Sequence, residues 1–359
     1  MLSVKAAAMK SAAMIVGSSM LVFSLCTFAQ PARAVEVRGT GGSSSARVQA
    51  QWGFLFAKEA GVKADFVPAN SVVGIRAAVE RTADFAVTEI AMSPDDVAKH
   101  GLLQFPLLIG GVVMIVNIPG VEPGQLRLNS RLISRIYLGE IKNWNDDEIR
   151  AANPNLSLPR LPIKLVVREG GTGTAMALST FLTQTEPQWA AKVGASDLPK
   201  WPAPAVKTAT VKVMGETVKA TPGAIGFLNY DEAWRNKLVY TQLRNRSGQY
   251  VQPSAATILS AANMAGLGRT GERIPTLINV EGEQAWPLVE VSFVLLDRKP
   301  KNLERARSTL RYFYSAFLQG DQMAADTGFV PLPSSVQARN VGHFRDIVGP
   351  DGQSLDFLK

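Results

Sequence analysis

The sequence predicts an α/β fold in two lobes, with mixed and parallel sheets flanked by helices and a ligand cleft between the lobes. Three observations carry that expectation. Short apolar strands alternate with amphipathic helices, the pattern of sheets covered by helices on their faces. Two longer apolar runs, 105–117 and 286–296, bracket a middle segment of domain size. Four strands end in polar turns, three of them ahead of a helix, at the edge where open α/β sheets hold ligands.

The elements follow in order. Met1 to Ala34 carries Lys5 and Lys10, an apolar run to about Ala29 and a small-x-small ending at Ala32-Arg33-Ala34. This is the layout of a secretory signal peptide cleaved after Ala34. Leu25 stands where a lipoprotein signal places a small residue before its cysteine, so Cys26, the single cysteine, is expected to leave with the leader. What remains has no disulfide and must rest on its core.

Val35 to Arg38 reads as a strand and Gly39 to Ser45 as a turn. Val48, Trp52, Leu55 and Phe56 then form one face of a helix, with Ser43 to Ser45 as natural caps. Ala64 to Val67 is the next strand; Asn70-Ser71 opens a helix carrying Ile75 and Val79, and Asp84 to Val87 is a third strand ending in Thr88-Glu89. The run 105–117 reads as one long buried strand or a strand pair. Pro106 and Gly110-Gly111 interrupt it, and it falls short of the ~20 continuous apolar residues of a membrane span.

Arg131 to Leu138 is a short helix closed by Gly139. Ile163 to Val167 is a strand feeding the turn Arg168 to Thr174, and the helix that follows sets Ala175, Leu178 and Leu182 along one side. Pro222 to Tyr230 turns into a strand, 286–296 is the second long strand, and Leu310 to Phe317 is an aromatic-rich helix. A chain that crosses at the first long strand and returns at the second builds one discontinuous lobe, 35–112 with 290–359, and a second lobe, 113–289. Trp52, Trp144, Trp201 and Trp286 read as packing residues.

Composition narrows the function. The chain has 38 basic and 30 acidic residues, and Lys5, Lys10 and Arg33 belong to the leader. The remaining excess is spread out, with no basic run interleaved with aromatics, which argues against nucleic acid and suits small anions. His100 and His343 are the only histidines, so a transition-metal site has little to be built from, and no cofactor is expected. A hydrolase using Thr172 or Thr174 as nucleophile lacks an evident base. The stretch GTGGSS (39–44) imitates a dinucleotide turn but has Ser44 where the third glycine belongs.

The four polar turns hold Ser43 and Ser44, Ser71, Glu89, and Arg168 with Thr172, Gly173 and Thr174. Together they offer hydroxyls, helix-start N–H groups, one guanidinium and one carboxylate, a set suited to a tetrahedral oxyanion. Glu89 fits if the ligand carries a proton: a carboxylate accepts from P–OH and repels sulfate. The bland alternatives are N-caps for the three serines, an exposed strand-end carboxylate for Glu89 and a surface pair with Glu169 for Arg168.

These landmarks resemble the PstS family, the phosphate-binding proteins of the phosphate ABC importer, which are type II periplasmic binding proteins. The resemblance rests on FPLLIGGVVMIVNIPGV (105–121), IYLGEIKNWND (136–146), GTGTA (171–175), PGAIGFLNY (222–230) and EQAWPLVEVSFVLL (283–296), in that order. It implies a soluble, monomeric periplasmic protein that binds inorganic phosphate or a related oxyanion between its lobes and presents it to permease subunits in the inner membrane. It also implies ligand roles for Ser43, Ser44, Ser71, Glu89, Arg168, Thr172, Gly173 and Thr174. The chain departs from the family pattern at Ser44, where an aromatic is usual, at Glu89 in place of aspartate, and at Gly170 in place of aspartate. Those departures leave room for a relative with altered specificity or an accessory, adhesion or signalling role.

Overall fold

The computed structural model describes residues 36–267 and 275–358; the leader, its cleavage point and Cys26 lie outside the described residues. The first portion of the chain gives β1 (Glu36–Gly42), α1 (Ala46–Ala60), β2 (Lys63–Ala69), α2 (Ser71–Glu80), β3 (Phe85–Thr88), α3 (Pro94–Lys99) and β4 (Leu102–Val116). The middle gives β5 (Arg127–Leu128), α4 (Ser130–Tyr137), α5 (Asp147–Ala152), β6 (Lys164–Arg168), α6 (Gly173–Thr185), α7 (Pro187–Lys192), β7 (Ala205–Thr208), α8 (Val211–Ala220), β8 (Ala224–Asn229), α9 (Tyr230–Arg235), β9 (Val239–Tyr240), β10 (Gln242–Arg244), β11 (Tyr250–Val251) and α10 (Ala255–Met264). The last portion gives β12 (Val289–Asp297), α11 (Leu303–Gln319), α12 (Asp321–Asp326), β13 (Val330–Pro331) and α13 (Ser334–His343).

The main sheet runs β2-β1-β3-β12-β4-β8-β6-β7, a mixed α/β arrangement with helices on its faces. β1 lies between parallel partners, with Gly39 opposite both Phe66 and Phe85. That double pairing is why the glycine-rich stretch 39–42, expected as a turn, stays extended to Gly42. The run 105–117 proves to be one strand. β4 pairs antiparallel with β12 as far as Gly111 and with β8 from Val112 onward. Its side chains are buried almost throughout, so a continuous Leu/Ile/Val run is what a strand covered on both faces demands. Pro106 is accommodated because the β4–β12 register shifts beside it, between Ser292 and Phe293, and a bulge tolerates the missing N–H.

Aromatic side chains lock α11 onto the first half of the sheet: Phe85 meets Tyr312 and Phe313, and Phe105 meets Phe313, Phe317 and Phe344. Tyr137, Trp201 and Phe227 cluster similarly in the middle portion. The indoles of Trp52, Trp144 and Trp286 are buried and donate to the carbonyls of Gly320, Gly223 and Val112, so the expected packing role describes them.

Two helix faces differ from expectation. In α1, Val48, Trp52 and Phe56 are buried but Leu55 only half so. α2 buries the small residues Gly74, Ala77 and Ala78, while Ile75 and Val79 lie at the margin of a minor cluster with Ala86, Leu102 and Leu295. Small side chains let α2 lie close to the sheet, and that closeness sets its first residue at the site described next.

Candidate functional site

The carboxyl ends of β1, β3, β6 and β8 meet the starts of α1, α2, α6 and α8. Around that meeting point lies a small cavity that all eight residues expected from sequence line: Ser43, Ser44, Ser71, Glu89, Arg168, Thr172, Gly173 and Thr174. Four others join them, Gly42, Asn70, Val211 and Asn229.

The capping reading of the serines does not hold. Asn70 caps α2, its side chain accepting from the N–H of Val73 at 2.9 Å, which leaves Ser71 at the first helical position free for other work. Ser71 Oγ donates to Glu89 Oε2 at 2.5 Å and Ser44 Oγ to Glu89 Oε1 at 2.5 Å. Ser45 Oγ turns back to the carbonyl of Gly42 at 3.2 Å, and no side chain caps α1 or the 3₁₀ turn Ser43–Ser45 before it. Glu89 is half-buried, with its carboxylate held by two hydroxyls, instead of lying exposed at a strand end.

Glycines flank that carboxylate on both sides. A Cβ on Gly42 would lie 2.1 Å from Glu89 Oε1, and one on Gly173 would lie 2.1 Å from Glu89 Cβ. The start of α6 can therefore close on Glu89 only because Gly173 carries no side chain, whereas at Gly42 the clash is with the movable end of the Glu89 side chain.

Across the cavity, Arg168 ends β6. The residue is only 7% exposed, yet among the described residues it forms no ion pair. One guanidinium nitrogen donates to the carbonyl of Ala209 at 2.7 Å, and the buried Nε has no partner. Glu169 is exposed, so the surface-pair reading of Arg168 fails. Burial draws the Arg168 pKa down, and the negative charges of Glu169 and Glu89 oppose that. A buried cation with unused donors is a costly arrangement unless an anion completes it.

Thr172 caps α6, its hydroxyl accepting from the N–H of Ala175 at 3.2 Å, and lies 3.3 Å from the hydroxyl of Thr174. Both threonines are nearly buried. Among the described residues neither hydroxyl is hydrogen-bonded to a carboxylate or an imidazole, the groups that would make one a nucleophile. The cavity itself measures about 20 Å³, room for about one water. Among the described residues no group of His, Cys, Asp and Glu side chains is placed to hold a metal.

Sequence reasoning missed Asn229 and what stands behind it. Asn229 ends β8 and donates through its amide to Glu290 Oε1, while Glu290 Oε2 is buried without a partner. Burial pushes the Glu290 carboxyl well above the ordinary range, helped by the charges of Glu89 and Asp231. Two signals were available: an asparagine at a strand end ahead of a helix, and a carboxylate inside an otherwise apolar run.

Comparison with known proteins places this geometry in context. The model of the PBP superfamily domain matches residues 27–319. The phosphate-binding protein PstS of Haemophilus influenzae is 33% identical over 315 residues, spanning 85% of this chain and 91% of its own. PstS of Pasteurella multocida is 32% identical over 337 residues, spanning 94% of this chain and 98% of its own. A phosphate-binding protein from Stenotrophomonas maltophilia shares the fold with a TM-score of 0.63 at 16% identity, over 87% of this chain and 94% of that one. A high affinity periplasmic phosphate-binding protein solved with phosphate shares it with a TM-score of 0.70 at 16% identity, over 90% of this chain and 97% of that one.

Proposed function

Because the chain belongs to the PBP superfamily and, within it, to the phosphate-binding proteins named PstS, we propose that it captures inorganic phosphate in the strand-end cavity and delivers it to an ABC importer. The observation that carries the reading is Arg168, a nearly buried guanidinium with a partnerless Nε facing hydroxyls and helix starts. An oxyanion there takes a fork of charge-assisted bonds from Arg168 and further bonds from Thr172, Thr174, Ser43 and the N–H groups at the start of α6. Ser44, Ser71 and Glu89 form the opposing wall, where Glu89 accepts the proton that phosphate carries and sulfate lacks.

Capture proceeds by closure of two lobes, 35–112 with 290–359 and 113–289. The change of partner along β4, from β12 to β8 between Gly111 and Val112, supports that division. The ligand makes contacts from both sides and so favours the closed state, which permease subunits then engage. The protein works as a monomer in the periplasm, exported by the leader that ends at Ala34. Among the described residues no helix is long and apolar enough to cross a membrane. The decisive experiment is titration calorimetry of the purified protein with phosphate, arsenate and sulfate. Tight phosphate binding with sulfate excluded is expected, and absence of binding to any of the three refutes the reading.

A further inference from the structure

A cavity of about 310 Å³ lies between α13, β4, β12 and the loop after β3, and it shares no lining residue with the strand-end cavity. Two ties hold its walls. Asn340 of α13 donates to the carbonyl of Pro106 in β4 at 2.8 Å. Gln104 of β4 binds the loop after β3, its side-chain amide accepting from the N–H of Met92 at 2.8 Å and donating to the Met92 carbonyl at 3.1 Å. The space is therefore preformed, and its volume falls at the lower end of the ~300–1,000 Å³ of small-molecule sites.

Its lining is mostly apolar, with Phe105, Pro106, Phe293 and Val336 buried and Ala91 and Pro94 exposed. Of its four polar side chains three are engaged: Gln104 and Asn340 in the two ties, and His343 with Asp346, Nδ1 lying 3.5 Å from Oδ2. The fourth, Arg339, is half-buried and has no ion pair or side-chain hydrogen bond among the described residues. Among those residues no carboxylate lines the cavity, so the charge it offers a ligand is that of one guanidinium. A doubly charged inorganic anion would give up its hydration here for a single cation, a cost the apolar wall does not offset. A carboxylate carries one charge, matches the guanidinium fork and leaves an attached ring to cover the apolar lining.

We propose that this cavity is a second ligand site, taking a small aromatic carboxylate with its charged end on Arg339 and its ring against the apolar wall that Phe105 and Phe293 help to form. The site is independent of the oxyanion reading of the strand-end cavity. A chain that bound no phosphate would still hold such a ligand here.

Calorimetric titration with cinnamate, cinnamyl alcohol and acetate, with and without saturating phosphate, tests it. Cinnamate is expected to bind with a dissociation constant of about 1 mM or lower, and the alcohol and acetate each at least about tenfold more weakly. Failure of cinnamate at that level overturns the proposal. So does an alcohol that binds as well, since the guanidinium then has no part, or an acetate that does, since the apolar wall then has none. Displacement of cinnamate by phosphate would place it on Arg168 and also overturns the proposal. Arg339→Gln should weaken cinnamate about tenfold or more while the melting temperature and phosphate binding stay unchanged, and an undiminished affinity removes Arg339 from the site. Should the variant fail to fold, the comparison of the three probes on the unaltered protein still decides. Absence of phosphate binding bears on the strand-end cavity alone, so the two failures are told apart.

Discussion

At the scale of single residues, the site is a balance between Arg168 and Glu89. Arg168→Ala removes the only guanidinium that lines the cavity among the described residues. With each charge-assisted bond contributing about 1.5–3 kcal/mol, the phosphate dissociation constant should rise on the order of 100-fold or more. Calorimetry showing unchanged affinity would remove Arg168 from the site. On the proposed reading, Glu89 sets discrimination. Its carboxylate accepts from Ser44 and Ser71 and, facing a fully deprotonated anion, repels it. Glu89→Gln substitutes an amide that also donates, so the ratio of sulfate to phosphate dissociation constants should fall by about tenfold. A ratio that stays put argues that selectivity comes from elsewhere. The eight residues were singled out in the sequence at strand-end turns, the three serines mainly through the family resemblance, and all eight line the cavity. The division of labour was not legible: Asn70 and Ser71 are equally good caps on paper, and only the fold shows that Asn70 takes the helix and Ser71 takes Glu89.

At the scale of elements, the contact between the start of α6 and the end of β3 determines whether the cavity can form. Gly173 faces Glu89 Cβ with no space for a methyl group. Gly173→Ala is conformationally harmless at a helix start, so its whole effect is the clash: about 1–3 kcal/mol of destabilisation and a weakened phosphate site. Unchanged melting and unchanged affinity together would show that the approach is looser than described. The strands and helices read from the sequence were found by their periodicity, with limits that shifted where pairing overrode local preference, whereas short elements such as α3, α5, α7, α9 and β9 to β11 carried too few periods to be read. The stretch 39–42 looked like a turn by composition, yet β2 and β3 hold it extended from both sides. The buried face of α2 was misread for a different reason. Periodicity favours large side chains such as Ile75 and Val79, whereas close packing against the sheet selects Gly74, Ala77 and Ala78.

At the scale of the whole molecule, the long strand β4 organises everything else, and its run of apolar residues was plain in the sequence. What the run could not display is the carboxyl group opposite it. Glu290 lies across from Gly110, next to where β4 changes partners, and is buried. Its carboxyl is held well above the ordinary range by burial and by the charges of Glu89 and Asp231. Burial likewise pushes Asp231 up to about 6, with Arg235 opposing it. An acid whose pKa is raised on folding keeps its proton in the native state after the unfolded chain has released its own. Stability is therefore complete below the unfolded pKa, near 4, and declines as pH rises toward the folded pKa, by on the order of 3 kcal/mol for a group moved as far as Asp231. Glu290→Gln keeps an acceptor for Asn229 and cannot ionise. Its melting temperature should match that of the unaltered protein near pH 4 and exceed it by a margin that widens toward neutral pH, while the decline due to Asp231 persists in both. Melting curves collected at half-unit pH steps test this directly. A constant gap, or a variant less stable at pH 7 than at pH 4 relative to the parent, would mean that Glu290 is charged in the native protein and that the centre of the sheet holds an ion in place of a neutral acid.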